Sequence, residues 1–397
     1  MKTQRLIAAA IMLLFASCQK DAFNNTPAIS ESSLKEMMSE NGNNPDETIL
    51  DAADRAYASD NGYVYIESND SDHNAILNYA QNHHDGSLTL EQTVMTGDKG
   101  AGAPLNSQGA VVLSKDHHWL FAVNAGSNSI SSFAVDNEGD ITLSHTRGCE
   151  GVFPVSICNY HDLVYVVNSV TADITGFRLG SDGSLTYIPS SYQKLSVPKP
   201  IPAQIAFGTY GNAVIVTERF GNVISSFAID VSTGGAAAGI FTPSIGDEPF
   251  GFDFARDDYM IVSNAAFGAP HRGSCTSYED FLHPTALNGA VPNGQTASCW
   301  VSVAKFGRYA FVTNTGNNTI ASYYVRKNGN IYFTGGTVIN TGLAPIDLKV
   351  SGDDRYVYCI NSESHTIGKF KRNKYGGLTA IGTVPHIPDF AAGMAAY

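Results

Sequence analysis

A short apolar strand that ends in a polar residue recurs seven times along this chain, and repetition at this spacing leaves few folds open. The copies are YVYIESN ending at Asn69, WLFAVN at Asn124, VYVVN at Asn168, AVIVTE at Glu218, MIVSN at Asn264, YAFVTN at Asn314 and YVYCIN at Asn361, with steps of 55, 44, 50, 46, 50 and 47 residues. Each leads into a second strand such as SISSFAV, VISSFAI or TIASYYV, and period-2 alternation with β-branched and aromatic residues marks both as strands. A third strand precedes most markers and opens on Pro or a small residue, as at Pro154, Pro202, Pro249, Ser298 and Pro345. A fourth follows turns such as DNEGD, GSDGS and RKNGN, whose Asn, Asp and Gly supply the positive φ that hairpins need. Four antiparallel strands in seven repeats predict an all-β, seven-bladed β-propeller. The first repeat lacks its inner strand, and the C-terminal AAGMAAY can supply it, closing the ring through blade 1.

The ends of the chain predict a different life for its first sixty residues. Lys2 and Arg5, an apolar run from Leu6 to Phe15, and the small pair Ala16 and Ser17 before Cys18 read as an export signal. The apolar run is too short for a permanent membrane helix. A small-small-Cys ending resembles a bacterial lipobox, which makes Cys18 the expected lipidation site. Residues 1–17 are thus read as signal peptide, 18–60 as lipidated Cys and polar tether, and 61–397 as propeller, in a protein lipid-anchored to a bacterial membrane at the periplasm or cell surface. The five other cysteines, Cys149, Cys158, Cys275, Cys299 and Cys359, are irregularly spaced. They predict buried thiols, with one bridge, Cys149–Cys158 or Cys275–Cys299, left open.

Charge narrows the partners. With 24 Lys plus Arg against 37 Asp plus Glu, a formal charge of -13, the chain lacks the cations for counterion-release binding of nucleic acid. Contact with membrane is expected through the lipid anchor alone.

Several longer segments are more specific. LFAVNAGSNSISSFAV, PVSI with VYVVNS, PAQIAFG with VIVTERFGNVISSFAID, EPFGFDF, NGQTASCWVSVAKFGRYAFVTNTGNNTIASYYV and IPDFAAGMAAY together resemble the lactonase family of seven-bladed propellers, across roughly residues 62–397. That family is similar to 6-phosphogluconolactonases and carboxymuconate-lactonising enzymes, and this chain resembles its secreted branch. The resemblance implies a small lactone or sugar-like ligand and a carboxylic ester hydrolase.

The strand order brings the residues that open inner strands and the marker residues to one channel mouth, where a concave site with convergent polar groups is expected. Six Asn among seven markers fit turn chemistry. Blade 4 departs from the pattern with Glu218 and Arg219, an acid and a permanent cation, which are the candidate base and oxyanion or carboxylate anchor for lactone hydrolysis. A rim salt bridge is the competing reading of the two. His271 and Arg272 fall in the longest mouth loop, as a candidate catalytic group and an anion contact. Gln204, Trp300 and Asp347 open inner strands and are candidate substrate-binding residues, the indole by stacking. No cofactor is expected and no metal ligand is assigned, although Glu218, Asp347 and rim Asn oxygens leave Ca²⁺ or Mg²⁺ open. The alternative to an enzyme is a non-catalytic propeller that binds a glycan, metabolite or envelope protein at the same mouth.

Overall fold

In a computed structural model the described residues, 62–256, 259–335 and 339–397, form seven antiparallel sheets in a ring. The expected signal peptide, Cys18 and tether lie outside the described residues. Blade 1 pairs Leu88–Met95, Ala75–Gln81 and Gly62–Glu67 with the C-terminal strand Ala392–Ala396, so the last strand of the chain is the innermost strand of the first blade. Tyr63 and Tyr397 exchange backbone hydrogen bonds of 3.0 and 3.1 Å at the end of that pairing. Blades 2 to 7 follow as residues 111–148, 154–194, 202–243, 249–292, 298–340 and 345–385.

Why the second strand of each blade is the strongest signal is a matter of burial. Gly62–Glu67, Leu163–Asn168, Ala213–Glu218 and Tyr356–Asn361 are buried at every position, because alternate residues face the blade before and the blade after. Phe121 and Val123 of blade 2 thus meet Val164 and Val166 of blade 3, while Leu120 and Ala122 face Tyr63 and Tyr65 of blade 1. These strands read as apolar runs rather than as alternation. The outer strands Leu88–Met95 and Leu378–Pro385 are half solvated, and in blades 4 to 6 the outer strand is broken into two short pieces, such as Gly235–Ala236 and Ile240–Pro243.

Two repeated devices set the blades against one another. The outer-turn glycines Gly139, Gly183 and Gly329 have φ of 75, 83 and 78°, as their turns require, and a Cβ on each would collide with an aromatic ring of the preceding blade. Tyr65, Tyr165 and Tyr358 donate their hydroxyls to the carbonyls of Gly139, Gly234 and Gly86. This register corrects one repeat assignment. Tyr165 and Tyr358 stand three residues before Asn168 and Asn361, so in blade 1 the residue equivalent to the markers is Ser68, not Asn69.

The role of the marker Asn is structural, by a different contact from the turn bond expected. Asn124 Nδ2 donates to Ser129 and Ser131, and Asn264 Nδ2 to Ser274 and Thr276, all on the partner strand. All five described cysteines are free and buried, so neither open disulfide forms.

Candidate functional site

The channel is not an open well at the level of the inner strands. Gln108, from blade 2, donates its side-chain Nε2 to the carbonyls of Phe252 at 3.1 Å and Val301 at 2.9 Å and accepts from the Val301 backbone at 2.9 Å. One side chain therefore bridges to blades 5 and 6 on the far side of the ring. Gly251 makes this reach possible, since a Cβ there would lie 2.2 Å from Gln108 Oε1. Trp300 completes the plug: it is buried, donates Nε1 to the Ser107 carbonyl at 2.8 Å and packs 4.8 Å from the Phe250 ring. Its indole stacks on protein. Gln204 Oε1 accepts from the Phe252 backbone at 2.7 Å, and Asp347 Oδ2 accepts from the Gly393 backbone at 2.9 Å. Gln204 and Asp347 thus tie neighbouring blades together, and Trp300 ties blade 6 to blade 2 across the ring.

On the rim blade 4 is distinct, as its sequence suggests, but its acid and cation do not pair with each other. Glu218 is fully buried. Where a marker Asn donates to oxygens on the partner strand, a carboxylate can only accept, and the local sequence has changed with it: the residue paired with Glu218 is Val223, where the marker Asn residues face Ser, Thr or Asp. Glu218 Oε1 accepts from the Ser225 hydroxyl and, at 3.1 Å, from the Ser196 backbone, while Oε2 accepts a close hydrogen bond from the Ser196 hydroxyl. Burial pushes the Glu218 carboxyl above its ordinary value, against the lowering effect of the two serines. Ser196 itself is half-buried, in the connection between blades 3 and 4. A Cβ built on Gly221 would lie 3.1 Å from both Glu218 Oε2 and Ser196 Oγ, so this glycine leaves an approach to the pair that any larger residue would narrow.

Arg219 points elsewhere. Its Nε and Nη2 donate to Glu248 Oε1 at 2.9 and 2.6 Å, and its guanidinium lies 4.8 Å over the Phe250 ring. Glu248 Oε2 in turn accepts from the Phe267 backbone at 2.5 Å, which fastens the blade 5 mouth loop to the ion pair. Glu248 is one of five residues with positive φ directly before inner strands, with Phe153, Ile201, Ala297 and Ala344. The carbonyl of each accepts from the backbone N–H just after the marker of its blade. The rim salt bridge weighed for Arg219 is therefore present, with Glu248 as the partner that sequence reasoning missed.

His271 and Arg272 lie in the mouth loop that follows Asn264. His271 has φ 58°, its Nδ1 is 3.0 Å from the Gly294 carbonyl and its backbone donates to Thr296, so it is anchored to the connection before blade 6. Arg272 is exposed. Neither is brought into the Ser196–Glu218 contact. Among the described residues no three His, Cys, Asp or Glu side chains gather as a metal site.

A second group of acids lies at the ring closure. Glu67 is fully buried, accepts from Asn74 Nδ2 at 2.5 Å, and its Oε2 has no hydrogen-bond partner. It sits opposite Ala392, the neighbour of the glycine that Asp347 holds. Burial, with Asp347 nearby, raises the Glu67 carboxyl well above its usual range, and burial raises Asp347 to about 7. Nothing in the blade pattern singles out Glu67, which stands one residue before the marker position Ser68.

Known proteins share this architecture. A 6-phosphogluconolactonase of Bacillus subtilis (strain 168) is 20% identical over 304 residues, 72% of this chain and 86% of its own. A crystal structure of a putative 6-phosphogluconolactonase from Bacteroides fragilis superposes with a TM-score of 0.66 at 17% identity, covering 86% of this chain and 99% of that one. A periplasmic gluconolactonase of Pseudomonas aeruginosa superposes at 0.68 and 16% identity, covering 85% and 98%. The family model described as lactonase, 7-bladed beta-propeller matches residues 54–201 and 281–389, two stretches that flank blade 4 and most of blade 5. With well over half its length matched, the chain belongs to the seven-bladed β-propeller lactonase family.

Proposed function

We propose that this protein is an exported, lipid-anchored hydrolase of a lactone or related cyclic ester, acting on the rim above blades 3 to 5. Family membership supports the reaction class, the periplasmic gluconolactonase among its structural relatives supports an envelope location, and the signal-like residues 1–17 before Cys18 support that cysteine as the anchor. The observation that carries the reading is the close contact of a half-buried serine hydroxyl with a buried carboxylate whose proton affinity is raised, the arrangement of a nucleophile and its base.

In this reading Ser196 Oγ attacks the lactone carbonyl carbon and its proton passes to Glu218 Oε2. The carbonyl electron pair moves onto oxygen as the tetrahedral intermediate forms. Collapse breaks the ring C–O bond, and the departing alkoxide takes the proton from Glu218. A water, deprotonated by Glu218, then cleaves the Ser196 ester and restores both groups. Burial brings the Glu218 pKa towards the working pH, where a general base is most effective. The glutamate must be ionised to act, so turnover falls as pH drops through its raised pKa.

The test is base uptake at constant pH with sugar, aliphatic and carboxylated lactones, with and without Ca²⁺. Glu218→Gln is expected to lower kcat by at least about a hundredfold, and Ser196→Ala by a similar factor, with a mass increase on Ser196 in wild-type protein quenched during turnover. Retained turnover in either variant removes that residue from the mechanism. No wild-type turnover above the spontaneous rate overturns the hydrolase reading in favour of a binding propeller.

A further inference from the structure

The rim beside Ser196 and Glu218 is apolar where a sugar enzyme would be polar. Phe220, Ile245 and Phe267 are 51, 56 and 58% exposed, and Val197 and Ile201 add 40 and 38%. Phe220 and Phe267 are in contact, and the loops that carry the other three adjoin theirs. The Arg219 and Phe220 backbones donate to the carbonyls of Ile201 and Pro200, the Ser244 backbone donates to Asn222, and Phe220 and Phe267 meet edge to face with centroids 5.8 Å apart. Isolated exposed apolar residues need no account, but five on adjoining loops beside a candidate reaction centre do. The loop that carries Phe267 has positive φ at Ala266, Phe267 and His271, so a phenyl ring is held out to solvent by backbone that L-residues adopt at a cost. Phe220, Ile245 and Phe267 all belong to residues 202–280, between the two stretches that match the family model.

We infer that this surface binds the substituent of the substrate, and that the substrate class is a lactone carrying a linear alkyl chain. The inference rests on the hydrolase reading and adds its specificity. The polar end is fixed by position: Phe220 directly precedes Gly221, whose missing side chain opens the approach to Ser196 and Glu218. A lactone ring in that notch places its substituent along Phe220 and Phe267. The two rings alone could stack on a sugar, but Val197, Ile201 and Ile245 have no flat face to offer a polyol, and burying hydroxyls against them would leave those hydroxyls unpaired.

The experiment compares γ-butyrolactone, γ-octalactone, γ-dodecalactone and glucono-δ-lactone on wild type and on a Phe220→Ser, Phe267→Asn double variant. Both side chains are exposed and Asn tolerates the left-handed backbone at 267, so the variant is expected to fold. Wild-type kcat/KM should rise by about two- to fourfold per methylene until the surface is filled, and the ratio of dodecalactone to butyrolactone should fall at least tenfold in the variant. A flat wild-type series, or a preference for glucono-δ-lactone, overturns the inference while leaving hydrolysis standing. If no lactone turns over, calorimetric binding of γ-dodecalactone that the double variant loses still supports the surface, and absence of that binding overturns it. A wild-type dimer in sedimentation that the double variant splits also overturns it, because the surface is then covered by a second copy.

Discussion

Among the places where this ring buries carboxylates, the rim of blades 4 and 5 and the closure of blades 7 and 1 treat them differently. On the rim of blades 4 and 5 every buried acid is supplied with donors: Glu218 takes two serine hydroxyls and a backbone N–H, and Glu248 takes Arg219 and the Phe267 backbone. At the closure of blades 7 and 1, Glu67 keeps one oxygen without a hydrogen-bond partner, and at Asp347 nearby burial outweighs the Gly393 N–H and the charge of Lys349. The first arrangement satisfies its carboxylate oxygens beside a surface that a ligand can reach. The second favours protonated acids inside a seam. A buried acid is thus a functional candidate only when something mobile can approach it, and Gly221 provides that approach on the rim.

The largest expected effect breaks the seam itself. Deleting residues 391–397 removes the inner strand of blade 1 and the paired backbone of Tyr63 and Tyr397, and it leaves Gly62–Glu67 as an unpaired edge. Cooperative melting of the whole propeller should be lost, not merely shifted. A truncated protein that melts like wild type would show that the C-terminal strand is dispensable and that the seam is no weaker than any other.

That closure was legible in the sequence because it is local arithmetic: a first repeat short of one strand and a tail with one to give. Blade number and the distinct chemistry of blade 4 were legible for the same reason, since strands sandwiched between blades must be apolar at every position. The contacts that set the site were not. Gln108 meets Val301 across 193 residues, Ser196 reaches Glu218 from an irregular connection, and Glu248 finds Arg219 from the next blade. These pairings exist only once blades pack against one another, and no periodicity encodes them. For the same reason Gln204, Trp300 and Asp347, rightly placed on inner strands, turn their side chains to other blades.

The next effect sharpens the difference in protonation. Asp347 loses its proton near 3.8 in an unfolded chain and at about 7 in the fold, so between those values folding takes up a proton. The raised folded pKa makes this contribution full below about pH 4, and it is lost as pH rises towards 7. At 1.36 kcal/mol per unit the loss is of order 4 kcal/mol, with Glu67 acting in the same direction. Denaturant melts should show wild type less stable at pH 8 than at pH 5, and Asp347→Asn should flatten that slope. A wild type that gains stability from pH 5 to pH 8 would mean that Asp347 is ionised and paired in the fold.

The smallest effect on stability carries the finest distinction, because the same change can be made in both places. A methyl group on Gly393 meets the Val111 backbone at 2.6 Å on a residue with φ 63°, so Gly393→Ala should destabilise the seam by about 2 kcal/mol or more. A methyl group on Gly221 meets only two side-chain oxygens, each at 3.1 Å, and its backbone needs no left-handed conformation. Gly221→Ala should therefore change the melting midpoint by no more than the equivalent of about 1 kcal/mol. Its consequence falls on the reaction, since the methyl group occupies the approach to Ser196 and Glu218; kcat/KM for any lactone that is turned over should drop about tenfold or more. If Gly221→Ala keeps full turnover, substrate reaches Glu218 by another side, and the distinction between an approachable acid and a sealed one loses its structural basis.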